Sequence, residues 1–183
     1  MKKLTKIIIV ILILIVVIEP ARDSVLKLFY PDEYSFYIDK YSHKYDLDRY
    51  LVMGLISVES SYNPDAVSEK GAKGLMQITE DTAKWCIQKF DIDATLENYT
   101  EPKENIEIGC AYLNYLFERF EDNKKNTLAA YNAGMGNVEK WLNDPDCCAD
   151  GKELYKIPFP ETEKYIEKVN NREKIYRELY NKE

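Results

Sequence analysis

The carboxylate of Glu59 is the side chain whose position in the sequence most directly suggests chemistry. Leu51 and Leu55 precede it by eight and four residues, so a helix places Glu59 on the apolar face that packs inward. Because burying a charged carboxylate costs free energy, its pKa is expected to rise and the group to stay protonated near neutral pH. Such a group is suited to general acid catalysis. From this segment alone, a partly exposed glutamate bonded to the following loop is the alternative.

Three further segments follow Glu59-Ser60. They are Gly71-Ala-Lys-Gly-Leu-Met-Gln-Ile78, Ala129-Ala-Tyr-Asn-Ala-Gly134 and Pro158-Phe-Pro-Glu-Thr-Glu-Lys-Tyr165. In order and spacing, the four segments resemble the motifs of the lytic transglycosylase domain named after the soluble lytic transglycosylase, a relative of goose-type lysozymes. Each motif alone is short, but the ordered set is specific and extends over roughly Tyr37 to Val169. The resemblance favours a catalytic role for Glu59.

The resemblance implies cleavage of peptidoglycan glycan strands with one carboxyl group. In the family, the C6 hydroxyl of N-acetylmuramic acid attacks its own anomeric carbon and gives a 1,6-anhydro sugar without water. Because the attack is intramolecular, its high effective molarity removes the need to position a water molecule. Glu59 would first donate its proton to the departing N-acetylglucosamine oxygen and would then accept the proton of the C6 hydroxyl.

Hydrolysis of a glycosidic bond usually needs a second carboxylate. The candidates Asp65, Glu69, Glu80 and Asp81 lack the apolar context of Glu59 and are expected to be solvated charges of loops or helix starts. A site with a single acid suits the reaction that the resemblance implies. Two alternatives remain open: a lysozyme-like hydrolase on the same fold, and a catalytically idle domain that binds the cell wall or acts as a scaffold.

The resemblance also implies substrate-binding roles for Ser60, Met76, Gln77, Tyr131, Asn132 and Tyr165. Ser60 would bond to the acid or to a sugar acetamide, with a bond to the helix backbone as the alternative. Gln77 would offer its amide to the glycan, whereas Met76 is equally expected to pack in the core. Tyr131 and Asn132 would form a wall of the cleft, and the hydroxyl of Tyr165 would point toward the catalytic carboxylate.

Apolar periodicity predicts a mainly α fold that positions these segments. The predicted helices are Tyr34 to Lys44, a helix ending near Glu59 with Asp46 or Asp48 as its cap, Glu80 to Phe90, Pro102 to Phe120, Leu128 to Tyr131, a short helix ending at Leu142, and Glu161 to Tyr180. Asn63-Pro64 is expected to end the second of these. Strand signals are confined to stretches such as Leu75 to Ile78. We predict one globular domain over residues 34–183, which the resemblance makes a lysozyme-like α+β fold with minimal strand content.

The N-terminal sequence predicts attachment to a membrane. A basic flank with three lysines precedes Ile7 to Ile18, which are twelve unbroken aliphatic residues. This length fits the apolar region of a signal peptide, but no small-x-small cleavage site of the usual kind follows. We therefore predict an uncleaved signal anchor over residues 1–20 and a spacer over residues 21–33, with the domain outside the cytoplasm. Secretion after cleavage is the alternative.

The net charge and the cysteine content of the chain limit the classes of binding partner and cofactor that it suits. Of 25 Lys and Arg residues, three lie in the first eighteen, and the remaining 22 face 32 Asp and Glu, a net charge of −10. A body this acidic is unsuited to nucleic acid. No motif suggests a metal or an organic cofactor, since the chain has one histidine and its cysteines lack the spacing of a zinc site. The four cysteines permit disulfides in an exported protein, but the sequence decides no pairing.

Overall fold

In residues 21–181, which a computed structural model describes, the chain is mainly helical. Residues 21–29 are helical, and the helices that follow are α1 (Ser35–Lys44), α2 (Arg49–Glu59), α3 (Glu80–Phe90), α4 (Pro102–Arg119), α5 (Lys124–Ala133), α6 (Met135–Leu142) and α7 (Pro160–Tyr180). Extended pairing in these residues consists of isolated antiparallel bridges that join Lys73 to Val67 and to Ile78. The prediction of a mainly α domain with minimal strand content is confirmed.

Side-chain caps explain where several helices begin. The carboxylate of Asp48 accepts hydrogen bonds from the backbone at the start of α2, and the hydroxyl of Thr79 does the same for α3. The prediction for α5 is too short, since this helix starts at Lys124 rather than Leu128. Asn123 caps it by accepting a hydrogen bond from the backbone N–H of Asn126, so its first turn is polar and carries no apolar signal.

Helix α2 ends at the residue of chemical interest. Ser61 and Tyr62 have φ angles of 52° and 64°, so the backbone leaves the helix in the left-handed region directly after Ser60. The prediction that Asn63-Pro64 ends the helix therefore places its end too far along the chain. As a result, Glu59 is the last residue of α2 and lies at an open helix end rather than inside a longer helix.

Helices α2 and α7 pack against each other with their backbones in close contact. Gly54 makes this approach possible, because a Cβ atom there would lie 2.8 Å from the backbone nitrogen of Glu173 and 3.1 Å from the carbonyl oxygen of Val169. Residues 50–57 of α2 are buried, so the helix is enclosed by the core on every side. This packing brings the C-terminal end of α2 beside the first turns of α7.

The predicted spacer packs on the domain. The hydroxyl of Tyr180 donates a 2.7 Å hydrogen bond to the carbonyl oxygen of Tyr30, whose ring lies edge-on to Tyr176 at 5.7 Å. The predicted anchor, residues 1–20, lies outside the described residues. Within residues 21–181, none of the helices has the length and apolar character needed to cross a membrane.

All four cysteines are free thiols, and all four are buried. Cys86 in α3 and Cys110 in α4 occupy the core, as small residues are able to do. Burial raises the pKa of the Cys86 thiol to about 12, which leaves it protonated at neutral pH. Cys147 and Cys148 follow α6, and although the surrounding sequence is polar their side chains are buried as well.

Candidate active site

The end of α2, the end of α5 and the start of α7 enclose a pocket of about 220 Å³. It is lined by Val58, Glu59, Asn132, Glu161, Tyr165 and Lys168. Three of the predicted site residues, Glu59, Asn132 and Tyr165, therefore lie together although more than seventy residues separate the first from the others. Val58 is the aliphatic residue of this lining, and the other five side chains carry polar or charged groups.

Glu59 is partly buried and accepts one strong hydrogen bond. The hydroxyl of Tyr165 donates to its Oε1 atom at 2.6 Å. Burial raises the pKa of Glu59 to about 7, and the hydrogen bond from Tyr165 opposes this rise because it favours the charged form. The pKa is raised as expected from the apolar stripe, and the partly buried side chain bonds to Tyr165 in α7 rather than to the following loop.

Tyr165 and Tyr131 are both held as neutral hydrogen-bond donors. Burial, followed by the nearby charge of Glu59, raises the pKa of each phenol well above its ordinary value. The hydroxyl of Tyr131 donates to the carbonyl oxygen of Met76 at 2.9 Å. This bond ties the segment Ala129–Gly134 to the segment Gly71–Ile78.

Met76 and Gln77 support the loop that they belong to. The Met76 side chain is fully buried and packs on Gly109, where a Cβ atom would collide with it, so it occupies the core position that the sequence left open. Gln77 has a φ angle of 49°, and its amide nitrogen donates to the carbonyl oxygens of Gly74 at 3.0 Å and Ala66 at 3.1 Å. The amide nitrogen of Gln77 is therefore bonded within the loop, and its side-chain oxygen Oε1 is the atom left to bind a ligand.

Ser60 and Asn132 also have partners within the protein. The hydroxyl of Ser60 donates to the carbonyl oxygen of Ile56 at 3.2 Å, which is the backbone bond that the sequence left as an alternative. The side-chain oxygen of Asn132 accepts a 2.8 Å hydrogen bond from Thr162, so it joins the end of α5 to the start of α7. Its position in the pocket wall is fixed by this bond.

Asn105 in α4 is a site-supporting residue for which sequence reasoning assigned no role. It is fully buried, and its side-chain oxygen accepts from the backbone N–H of Met76 at 2.8 Å. Its amide nitrogen donates to the carbonyl oxygens of Lys73 and Tyr99, both at 3.1 Å. The available signal was an amide placed beside the apolar stripe of α4, where a polar side chain requires partners.

The pocket holds one carboxylate that was not among the sequence candidates. Glu161, in the first turn of α7, lines the pocket with Glu59. The four expected candidates are exposed, and none of them lines this pocket: Asp65, Glu69, Glu80 and Asp81. A larger groove of about 740 Å³ lies at the ends of α4 and α6, where Arg119 pairs with Glu139, and it contains no residue of the four motifs.

Curated relatives share the sequence over most of the chain. A soluble lytic murein transglycosylase of Salmonella typhimurium is 34% identical over 151 residues, 81% of this chain and 23% of that protein. A membrane-bound lytic murein transglycosylase C of Histophilus somni is 30% identical over 168 residues, 80% of this chain and 46% of that protein. The chain thus spans between about a quarter and a half of the length of these relatives.

Solved structures share the fold. An inactive Glu-to-Gln mutant of the lytic transglycosylase Slt from Pseudomonas aeruginosa superimposes with a TM-score of 0.75 and 31% identity, over 85% of this chain and 26% of that one. The 70 kDa soluble lytic transglycosylase in complex with bulgecin A gives a TM-score of 0.73 at 31% identity, over 84% of this chain and 25% of that one. Residues 36–150 match the family described as the Transglycosylase SLT domain, to which this chain belongs.

Proposed function

We propose that this protein is a peptidoglycan lytic transglycosylase. It would cleave the β-1,4 bond between N-acetylmuramic acid and N-acetylglucosamine without water and leave a 1,6-anhydro-N-acetylmuramic acid end. The observation that carries the proposal is the pocket in which Glu59, with a pKa of about 7, accepts a hydrogen bond from the hydroxyl of Tyr165. Membership of the family and the names of the relatives support the same assignment.

In the first step Glu59 acts as the general acid. Its carboxyl proton passes to the glycosidic oxygen as the bond from that oxygen to the anomeric carbon breaks, and N-acetylglucosamine leaves with a free 4-hydroxyl. A pKa of about 7 keeps a large share of the carboxyl protonated at neutral pH. The positive charge that develops on the sugar ring is then balanced by the carboxylate that remains.

In the second step the same carboxylate acts as the base. The C6 hydroxyl of N-acetylmuramic acid loses its proton to Glu59 while its oxygen bonds to the anomeric carbon, which closes the 1,6-anhydro ring and restores the acid. The hydroxyl of Tyr165 stabilises the intervening carboxylate, since a hydrogen bond to a charged acceptor is stronger than one to a neutral acceptor. One carboxyl group is therefore sufficient for both proton transfers.

Asn132, which lines the pocket, and Gln77 on the neighbouring loop would orient the sugar. The amide nitrogen of Asn132 and the oxygen Oε1 of Gln77 would bind acetamide or hydroxyl groups, because their other side-chain atoms are bonded within the protein. Tyr131 would contribute by fixing the loop at Met76. Ser60 and Met76 would support this wall through the backbone bond and the core packing described above.

A lysozyme-like hydrolase is the second candidate function. The observation that favours it is Glu161, which lines the same pocket as Glu59 and is exposed to water. A carboxylate in this position would activate a water molecule for attack on the anomeric carbon. The two reactions give different products from the same bond, so product mass decides between them.

We also propose that the protein acts outside the cytoplasm while attached to the membrane. The support is the predicted anchor over residues 1–20 and the membrane-bound relative named above. In addition, the helical residues 21–29 expose Val25, Leu28 and Phe29, which share one face at helical spacing. This face would lie against the bilayer surface next to the anchor.

The decisive experiment is mass analysis of muropeptides released from purified sacculi by the full-length chain in detergent, with Glu59→Gln as the matched inactive control. Fragments ending in 1,6-anhydro-N-acetylmuramic acid, lighter by one water than lysozyme products, would support the transglycosylase. Reducing-end products would favour the hydrolase with Glu161. Equal release by the Glu59→Gln variant would reject Glu59 as the acid, and no release by the wild type would leave a wall-binding domain.

A further inference from the structure

A second pocket of about 220 Å³ has aromatic walls and a polar edge. It is lined by Asp81, Thr82, Trp85, Tyr112, Tyr115 and Met135, from α3, α4 and α6. Trp85 is 38% exposed, although indole is among the side chains that gain most from burial. The exposed ring therefore lies in a concave surface with hydrogen-bonding groups beside it, rather than on a flat apolar face.

The indole of Trp85 is held in a fixed orientation by its neighbours. It makes edge-to-face contacts with Tyr115 at 4.8 Å and with Tyr112 at 6.3 Å between ring centroids. The ammonium group of Lys89 lies 5.5 Å from the centroid of Trp85 and 5.3 Å from that of Tyr115. Because these contacts already fix the orientation of the ring, it loses little conformational freedom when a ligand stacks on it.

This pocket adjoins the candidate active site. The ring of Tyr112 lies 5.6 Å from that of Tyr131, whose hydroxyl is bonded to the loop at Met76. Asn132 lines the pocket of Glu59, and Met135, three residues further along, lines the aromatic pocket. The two pockets therefore lie next to the junction of α5 and α6, where each takes one lining residue. A linear glycan that fills one pocket extends toward the other.

We propose that the aromatic pocket is a saccharide subsite that binds a pyranose ring of the glycan strand away from the bond that is cleaved; this inference rests on the proposed function. The apolar C–H face of the sugar stacks on Trp85 and Tyr115. The exposed carboxylate of Asp81 and the hydroxyl of Thr82 bind the sugar hydroxyl or acetamide groups at the edge. A sugar fits this lining because the rings offer an apolar surface to its C–H face, while Asp81 and Thr82 offer polar groups to its edge.

Binding of a peptide-free hexamer of β-1,4-linked N-acetylglucosamine to the full-length Glu59→Gln protein in detergent tests the subsite. The chain contains two tryptophans, and Trp141 is only 8% exposed, so a change in tryptophan emission on binding reports mainly on Trp85. We expect such a change to saturate. We also expect Trp85→Ala to weaken binding about ten-fold when measured by calorimetry, and Trp85→Phe to weaken it less.

The matched control is Phe36→Ala, which removes another exposed aromatic ring, 73% exposed and outside both pockets, and should leave hexamer affinity unchanged. Thermal melting of each variant checks that the fold is intact. If the Glu59→Gln protein binds the hexamer with the same affinity with and without the added Trp85→Ala substitution, the proposed subsite is wrong. That failure is separate from failure of the proposed function, which is judged by whether the wild-type protein releases anhydro products from sacculi.

Discussion

Tyr165 and Glu59 are 106 residues apart in the sequence, and the hydroxyl of one donates a 2.6 Å hydrogen bond to the carboxylate of the other. The contact exists because α2 and α7 pack backbone to backbone at Gly54, which sets both side chains at the same end of the helix pair. Burial raises the pKa of Glu59 while Tyr165 limits the rise. The pair therefore holds a carboxyl group that is able both to give and to accept a proton near neutral pH.

Replacing Glu59 by Gln should reduce release of muropeptides by at least about 100-fold, because general acid–base catalysis typically contributes 10²- to 10⁴-fold. The amide preserves the size of the side chain, but its N–H protons are not acidic enough to be transferred and it is not a base. Release from sacculi is measured by chromatography with mass detection. Release within a factor of two of the wild type would contradict the assignment of Glu59.

The same substitution should stabilise the protein, and the gain should depend on pH. The pKa of Glu59 is about 7 in the folded state against an ordinary 4.5, so the unfolded state releases the proton first as pH rises. Folding is therefore opposed by up to roughly 3 kcal/mol above pH 7, and by nothing below pH 4. Thermal melting of Glu59→Gln should exceed the wild type at pH 8 and match it at pH 4. Equal differences at both pH values would contradict a raised pKa.

The pH dependence of kcat/KM should show that Tyr165 lowers the pKa of Glu59. Because the free enzyme needs protonated Glu59, kcat/KM should fall as pH rises through about 7. Tyr165→Phe removes a hydrogen bond that favours the charged form, so the alkaline limb should move to higher pH while the maximal rate falls about ten-fold or more. The limb is followed with soluble glycan fragments across pH 5 to 9.

Tyr131→Phe is the matched control for this profile. Tyr131 is a partly buried tyrosine of the same site, but its hydroxyl donates to the carbonyl oxygen of Met76 and not to Glu59. Its loss should lower the rate without moving the alkaline limb. A profile that shifts equally in both variants would mean that loss of a buried hydroxyl, rather than the bond to Glu59, causes the change.

Local features of the sequence predicted part of this structure. The stripe of Leu51 and Leu55 placed Glu59 inward, and Thr79 with the acidic first turn of α3 fixed that helix to within a residue. Both signals act through neighbours within a few positions, namely helical spacing and capping. The roles of Tyr131 and Tyr165 came from the resemblance of short motifs, because periodicity alone makes both of them core tyrosines.

Long-range bonds and backbone conformation could not be predicted in this way. Asn105 bonds to Lys73, Met76 and Tyr99, and no local pattern indicates which carbonyl or N–H groups a buried amide will meet. The left-handed φ angles of Ser61 and Gln77 occur in residue types that seldom adopt them. Tertiary contacts determine these positions, so they appear only once the helices are packed.

Asn105→Ala should destabilise the protein and weaken the site together. The change leaves the N–H of Met76 and the carbonyl of Tyr99 without their partner, at a cost of roughly 2–4 kcal/mol, whereas the carbonyl of Lys73 keeps its bond from the N–H of Ile78. Denaturant unfolding measures the loss. Asn114→Ala is the control in the same helix, since Asn114 bonds only to the exposed Glu118, and it should change stability by less than about 0.5 kcal/mol.

Gly54→Ala and Gly136→Ala should change stability in opposite directions. In a helix interior alanine is preferred to glycine by about 1 kcal/mol, and at Gly136, the second residue of α6, the added Cβ meets nothing within 4 Å, so part of that gain should appear. At Gly54 the added Cβ would lie 2.8 Å from the backbone nitrogen of Glu173, which is unable to rotate away.

The clash at Gly54 should cost about 1–3 kcal/mol and push α2 away from α7. Because Glu59 and Tyr165 are carried by these two helices, Gly54→Ala should also lower kcat/KM at temperatures where the variant is still folded. Unfolding curves and glycan release measured on the same preparations separate the two effects. A Gly54→Ala protein as stable and active as Gly136→Ala would show that close packing of α2 on α7 does not set the geometry of the acid and its tyrosine.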